Sequence, residues 1–340
     1  MSPPEDLALQ VRLLAKRLKE VLGELHDQRG QLSRLALAYG MDAERGDRLR
    51  ALPEAWDLPA IETHLRHVVA AAPMISDPFP HLVIEPLLPP EGFKVLVDAV
   101  PAEEFFEGEP HLGLKGLGLP QTILPLFSRL VWRSVLDDVL RPVLAPILAR
   151  RFQPLVRDFL RIGIGDDLVD DAMALPLIPR GLRLMLRRPG WKLAPHVDPR
   201  HQFITTLLYL ACPGEPETYG TQLFRVHRKN FMSRRANTYY PEDDGIRCEL
   251  AQTIPYRGNL CLSFLNLGGG AHGAVLPSDA QPADMRRKVF QFYIGPDRQA
   301  LEGLVERLPP DRQVAWKLRV KEKDLRAARR EAAITSRPLE

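Results

Sequence analysis

From residue 181 onward the chain is a succession of short β-type runs, and this constrains its fold more than any other feature. The runs cover 182–187, 203–210, 221–226, 259–265, 272–276 and 287–294, with Gly, Pro, Asn and Asp between them. Several short strands with turn signals and no long helix among them predict a sandwich or barrel of the jelly-roll kind. The upstream half reads differently. Leu and Val recur at three- and four-residue spacings over 126–160, which predicts helix, with Pro142 and Pro146 expected to break or restart it. His81-Leu82-Val83-Ile84 reads as a short strand, and Glu91 to Val100 as a short helix started after Pro89-Pro90. The expected class is therefore mainly β with flanking helices.

Composition narrows the setting. Proline is the outlier at 32 of 340 residues, about 9% against a usual ~5%. Hydrophobic residues at 45% and charged residues at 26% exclude wholesale disorder. Three cysteines, Cys212, Cys248 and Cys261, are odd in number and lack paired metal spacing, which argues against a disulfide scaffold and a zinc ribbon. No apolar run approaches the roughly 20 residues of a membrane span. The opening Met-Ser-Pro-Pro-Glu-Asp is unlike a signal peptide, so the expected location is cytoplasmic. A net charge of +3 is too balanced to point to nucleic acid.

Residues 5–39 place Leu7, Val11, Leu14, Leu18, Val21, Leu25, Gln28, Leu32 and Leu35 on one helical stripe at alternating four- and three-residue steps. The pattern suits a coiled-coil arm for a homodimer. It also suits a helix, or a helical hairpin broken near Gly30, packed on its own domain. The expected organisation is an N-terminal helical arm at 1–45, a helical linker at 46–75, a β domain at 76–300, and a basic helix and tail at 301–340.

One constellation carries chemistry. His196-Val197-Asp198 puts two ligand side chains two residues apart, and on a strand such residues share a face. His272 follows Asp198 by 74 residues, in another short strand after Gly268-Gly269-Gly270. Those glycines are no phosphate loop, since no Lys-Ser/Thr follows; they suit a close backbone approach beside His272. Two imidazoles and one carboxylate form the facial triad of non-haem Fe(II), which leaves positions open for oxygen ligands.

The surrounding segments extend the pattern. Leu184-Met185-Leu186-Arg187-Arg188-Pro189-Gly190-Trp191 precedes the pair, and Phe203-Ile204-Thr205-Thr206-Leu207-Leu208-Tyr209-Leu210 follows it. Then come Tyr219-Gly220-Thr221-Gln222-Leu223-Phe224, Gly258-Asn259-Leu260-Cys261-Leu262-Ser263-Phe264 before His272, and Arg286-Arg287-Lys288-Val289-Phe290-Gln291-Phe292-Tyr293-Ile294 after it. Over roughly 76–297 this ordered series resembles the 2-oxoglutarate/Fe(II)-dependent dioxygenases, closest to the prolyl 4-hydroxylase-like group.

That resemblance implies a double-stranded β-helix with the metal at one mouth. It implies His196, Asp198 and His272 as iron ligands, with 2-oxoglutarate and O2 as co-substrates and ascorbate as a candidate reductant. It also implies a basic residue on the final strand for the distal carboxylate of 2-oxoglutarate. Arg287 is the first choice, because the alternation 287, 289, 291 puts Val289 and Gln291 on its face; Arg286 and Lys288 are the alternatives if the register slips by one. Hydroxylation with release of succinate and CO2 is the implied outcome. Asp198 in the carboxylate position argues against the halogenase variant. The expected partner is a small-molecule, carrier-bound or peptide-bound substrate; the lack of a long apolar run argues against a membrane and the charge balance disfavours nucleic acid.

Two further clusters stand apart. Asp166, Asp167, Asp170 and Asp171 lack a calcium-loop pattern and read as a solvated turn. Segment 225–247 carries Arg225, Arg228, Lys229, Arg234 and Arg235 before Tyr239-Tyr240 and three acids; it reads as a solvated loop or as a lid over the metal mouth that contacts an anionic substrate. The rival to the enzyme is a non-catalytic jelly-roll protein that assembles through its N-terminal helix.

Overall fold

The computed structural model describes residues 3–44, 46–109, 114–227, 238–266, 270–280, 282–313 and 316. Three helices come first: α1 (Pro3–Glu44), α2 (Gly46–Ala55) and α3 (Leu58–Ala71). Strand β1 (His81–Ile84), helix α4 (Pro90–Asp98) and strands β2 (Glu107–Glu109) and β3 (Leu114–Gly118) follow. A long helical passage then runs through α5 (Leu126–Ser134), a π-helical stretch (Val135–Leu144) and α6 (Ala145–Ile164), with α7 (Asp166–Met173) after it. Eight strands complete the core: β4 (Leu177–Arg187), β5 (Lys192–His196), β6 (Ile204–Tyr209), β7 (Thr221–Val226), β8 (Cys248–Ile254), β9 (Cys261–Leu265), β10 (Gly270–Val275) and β11 (Arg287–Pro296). Helices α8 (Arg298–Val305) and α9 (Pro310–Gln313) follow.

These eight strands pair as nested hairpins. β4 pairs with β11, β5 with β10, β6 with β9 and β7 with β8, all antiparallel. Cross-pairing of β11 with β6 and of β10 with β7 gathers them into two sheets, ordered β1-β9-β6-β11-β4-β3-β2 and β5-β10-β7-β8. Nested pairing that divides its strands between two sheets is the double-stranded β-helix, a jelly roll. The expected fold class is the one observed.

Period-two alternation decides which residues enter the barrel. Val289 packs with Leu207, Tyr209, Leu223 and Leu262 between the sheets. Phe290 and Phe292, with Leu184, Leu186 and Leu208, face the opposite way and pack on the helices. There Trp132 stacks 5.0 Å from Phe290, and its indole N–H donates to the Ala99 carbonyl at 2.9 Å. Full burial of each such aromatic contributes roughly 1.5–3 kcal/mol.

Two local expectations change. The helical passage does not break at Pro142, because the i→i+5 pattern of the π-helical stretch accommodates a residue lacking an N–H. Pro146 lies in the first turn of α6, where its missing N–H leaves no intrahelical bond unmade. The acidic quartet is the helix α7 rather than a turn; Asp170 pairs with Arg157 at 2.7 Å and Asp171 with Arg307 at 2.7 Å. Most of the expected C-terminal basic helix lies outside the described residues, as do Arg228, Lys229, Arg234 and Arg235.

Helix α1 continues unbroken through Gly30. Residues 12–33 are exposed, and Leu14, Leu18, Val21, Leu25, Leu32 and Leu35 present their stripe to solvent. Its far end meets the domain: Ala38 is buried, Arg34 pairs with Glu107 at 3.8 Å, and Asp42 accepts from the Leu126 N–H at 2.5 Å.

Candidate metal centre

β5 ends at His196, and Val197 is held just beyond it by two backbone hydrogen bonds to Tyr239, at 2.8 and 2.9 Å. This bridge fixes the backbone immediately before Asp198. Across the sheet His272 lies directly opposite His196, and the β10 ladder shifts register immediately after it. The three residues expected to meet do so: their ligand atoms lie within 4.8 Å of one another, and all three residues are buried. Asp198 is 3.7 Å from His196 Nε2 through Oδ1 and 3.6 Å from His272 Nε2 through Oδ2. Donors at ordinary bond lengths to one ion stand about 3 Å apart, so small side-chain rotations close the set. Two imidazoles and one carboxylate suit a divalent ion that keeps open positions.

Surrounding groups prepare each donor. His196 Nδ1 lies 3.0 Å from the Ala194 carbonyl; donating there leaves Nε2 with its lone pair toward the centre. Burial, reinforced by His196, pushes His272 down to about 3, so its imidazole is neutral and able to ligate. For Asp198, burial acts to raise the pKa, but His272, His196 and the Thr205 hydroxyl outweigh it and hold the carboxyl well below the usual range. Thr205 donates to Asp198 Oδ2 at 2.7 Å, and the Asn266 amide donates to Thr205 Oγ1 at 2.7 Å. On β11 the Tyr293 hydroxyl reaches Asp198, while burial and that charge raise the phenol pKa and keep it a donor. Arg183 and Gln291 in turn donate to Tyr293, at 3.3 and 3.0 Å. Sequence reasoning missed this ring of Thr205, Asn266, Gln291 and Tyr293; its one local sign was a pair of threonines inside an otherwise apolar run.

The glycines before His272 answer a packing need at one position. A Cβ on Gly270 would meet Phe79 Cδ1 at 2.0 Å, so the β10 backbone passes directly over that ring. Gly268 and Gly269 lie outside the described residues.

The three basic candidates on the last strand separate by direction. Arg286 pairs with Glu103 at 3.0 Å, and Lys115 and Arg188 join the same carboxylate. Burial acts to raise the Glu103 pKa, but these three cations outweigh it and hold it down to about 2. Lys288 shares the face of Phe290, with its ammonium 3.6 Å from Cys212 Sγ. Arg287 shares the inward face with Val289 and is 3% exposed. Its Nε donates to the Tyr219 carbonyl at 2.6 Å and Nη2 to Thr221 Oγ1 at 3.2 Å, and it stacks 5.5 Å from the rings of Tyr209 and Tyr256. No carboxylate among the described residues pairs with it.

No protein-family model and no curated protein matches the chain. Among solved structures, a Pseudomonas putida prolyl-4-hydroxylase aligns with a TM-score of 0.37 and 13% identity, over 68% of this chain and 98% of that one. HygX from Streptomyces hygroscopicus, solved with nickel and 2-oxoglutarate, aligns at 0.34 and 17%, over 64% and 83%. A Trichoplax adhaerens prolyl hydroxylase in complex with a peptide aligns at 0.35 and 11%, over 71% and 91%. These likenesses are distant, and the strand pairing itself defines the architecture: the chain is a double-stranded β-helix with a buried His-Asp-His triad between its two sheets.

Proposed function

We propose that this protein is an Fe(II)- and 2-oxoglutarate-dependent dioxygenase that hydroxylates its substrate with release of succinate and CO2. The observation that carries the reading is the joint placement, inside one barrel, of a buried His-Asp-His donor set and a buried guanidinium that no carboxylate among the described residues pairs with. His196, Asp198 and His272 would hold the iron, which when bound supplies the activation of O2 that couples oxidation of the keto acid to that of the substrate.

The remaining steps belong to the chain's own residues. His196 turns Nδ1 to the Ala194 carbonyl and offers Nε2, His272 offers a neutral nitrogen, and Asp198 offers an ionised oxygen kept in place by Thr205 and Tyr293. Arg287 receives the distal carboxylate of 2-oxoglutarate, because its fork is immobilised on Tyr219 and Thr221 and matches a carboxylate in shape and charge. Leu207, Tyr209, Leu223, Tyr256 and Val289 line the interior around it and exclude water, which strengthens that ion pair.

Anaerobic addition of Fe(II) and 2-oxoglutarate to the apoprotein is expected to give the visible charge-transfer band of a chelated keto acid. His196→Ala should abolish the band, whereas Arg286→Ala and Lys288→Ala should keep it at near wild-type affinity. A wild-type protein without the band would leave the non-catalytic jelly-roll protein as the better reading. In either case the solvent-facing stripe on α1 is a surface suited to a second copy of the chain. Light scattering is expected to show a wild-type dimer and a monomer for the double variant Leu18→Asp, Leu25→Asp; a monomeric wild type would overturn this.

A further inference from the structure

A second arginine inside the barrel has no counter-charge among the described residues. Arg187 lies directly across from Arg287 in the β4-β11 ladder, as Met185 does from Val289 and Arg183 from Gln291, so Arg183, Met185 and Arg187 all share the interior face. Arg187 is only 5% exposed. Its Nη1 donates to the carbonyls of Lys115 at 2.6 Å and Leu186 at 3.0 Å, and the guanidinium lies 4.9 Å over the Trp191 ring. Its Nε is buried without a hydrogen-bond partner, and no carboxylate among the described residues pairs with it. Burial and the neighbouring charges of Arg183 and Arg287 lower its pKa to about 9, still cationic at neutral pH.

The two buried guanidiniums lean apart. Arg287 reaches toward Tyr209, Tyr219 and Thr221, whereas Arg187 reaches toward β3 and Trp191. They therefore offer two anion positions rather than one shared clamp. Arg183 adds a third interior-face cation that is exposed to solvent and steadied by Gln291 at 2.6 Å and by Tyr293. Three arginines and a divalent ion on one side, against Asp198 and a doubly charged keto acid on the other, leave an excess of positive charge. A buried charge without a counter-charge is unfavourable, so an arrangement of this kind suits an anionic ligand.

We infer that the molecule to be oxidised carries a carboxylate or phosphate group and docks it on Arg187, with Arg183 as the cation on the solvent side. This rests on the dioxygenase reading for the identity of Arg287's ligand, but the anion position itself does not. Arg187 acts here as a specificity-determining residue.

The test is calorimetric titration with inorganic phosphate of the apoprotein and of protein saturated with Mn(II) and 2-oxoglutarate, in wild type, Arg187→Gln and Arg187→Lys. Wild-type loaded protein is expected to bind one phosphate, Arg187→Gln at least tenfold more weakly, and Arg187→Lys in between. The 2-oxoglutarate affinity should change less than threefold in Arg187→Gln. The melting temperature of Arg187→Gln should be unchanged or raised, because an uncompensated buried charge has been removed; a guanidinium kept only for structure would lower it. Absence of phosphate binding in wild type, or equal binding in Arg187→Gln, overturns the proposal. So does a tenfold loss of 2-oxoglutarate affinity in Arg187→Gln, which would assign the guanidinium to the co-substrate. If wild type fails to bind 2-oxoglutarate, the dioxygenase reading falls; phosphate binding to the apoprotein that depends on Arg187 would still uphold the anion position.

Discussion

Asp198→Ala is expected to weaken Fe(II) binding by more than ~100-fold, the upper end of what removing an outer-sphere partner does. The substitution takes away the carboxylate of the set and leaves two imidazoles beside three arginines on the interior face. Thr205→Val tests the next layer: it deletes the hydroxyl that donates to Asp198 Oδ2 and should weaken the metal about 10–100-fold. Asp198→Ala should change the folding stability of the apoprotein far less. Losing the carboxylate strands the Thr205 and Tyr293 donors, worth about 1–3 kcal/mol each, but it also removes a fully desolvated charge. Anaerobic equilibrium dialysis against Fe(II), with a melting curve on each apoprotein, checks both statements. Wild-type iron affinity in Asp198→Ala would remove the triad from the mechanism.

What was legible in the sequence follows from where each segment sits. The strands recognised beforehand are mostly central ones: β6, β9 and β11 are buried throughout or nearly so, and β7 buries Thr221, Leu223 and Val226, so their apolar runs stand out. The missed strands lie at edges or, for β3, next to one. β5 and β8 bound the smaller sheet and β2 bounds the larger, with β3 next to it. β5 contains Pro195, a residue that weakens a strand reading and suits an edge, and β8 is largely exposed. His196 and Asp198 were visible as a pair, yet Asp198 lies past the end of β5, placed by the Val197 bridge to Tyr239 some 40 residues away in sequence rather than by strand alternation. The polar ring around Asp198 was not legible, since nothing local distinguishes a buried Gln291 or Asn266 from an exposed one. Among Arg286, Arg287 and Lys288 the alternation did indicate the inward residue, because Val289 anchors the interior face.

Arg287→Gln is expected to lower 2-oxoglutarate affinity about 30–5000-fold, since truncating one partner of a buried, hydrogen-bonded charge pair costs roughly 2–5 kcal/mol. Iron binding in the absence of the keto acid should be unaffected, because Arg287 is not among the donors. Gly220 gives an independent route to the same result. A Cβ there would stand 1.6 Å from the Ile254 carbonyl oxygen, a backbone atom that cannot yield without moving β8. Gly220 lies between Tyr219 and Thr221, whose carbonyl and hydroxyl hold the Arg287 fork, so Gly220→Ala must displace the fork's supports while leaving the guanidinium in place. Both variants should show the charge-transfer band at saturating 2-oxoglutarate with a raised half-saturation. The Gly220 variant should also melt at a lower temperature. If Arg287→Gln titrates like wild type, the distal carboxylate lies elsewhere in the barrel. If only Gly220→Ala shifts, the β7-β8 approach shapes the pocket without the guanidinium, and Arg287 is a structural cation stacked between two tyrosines.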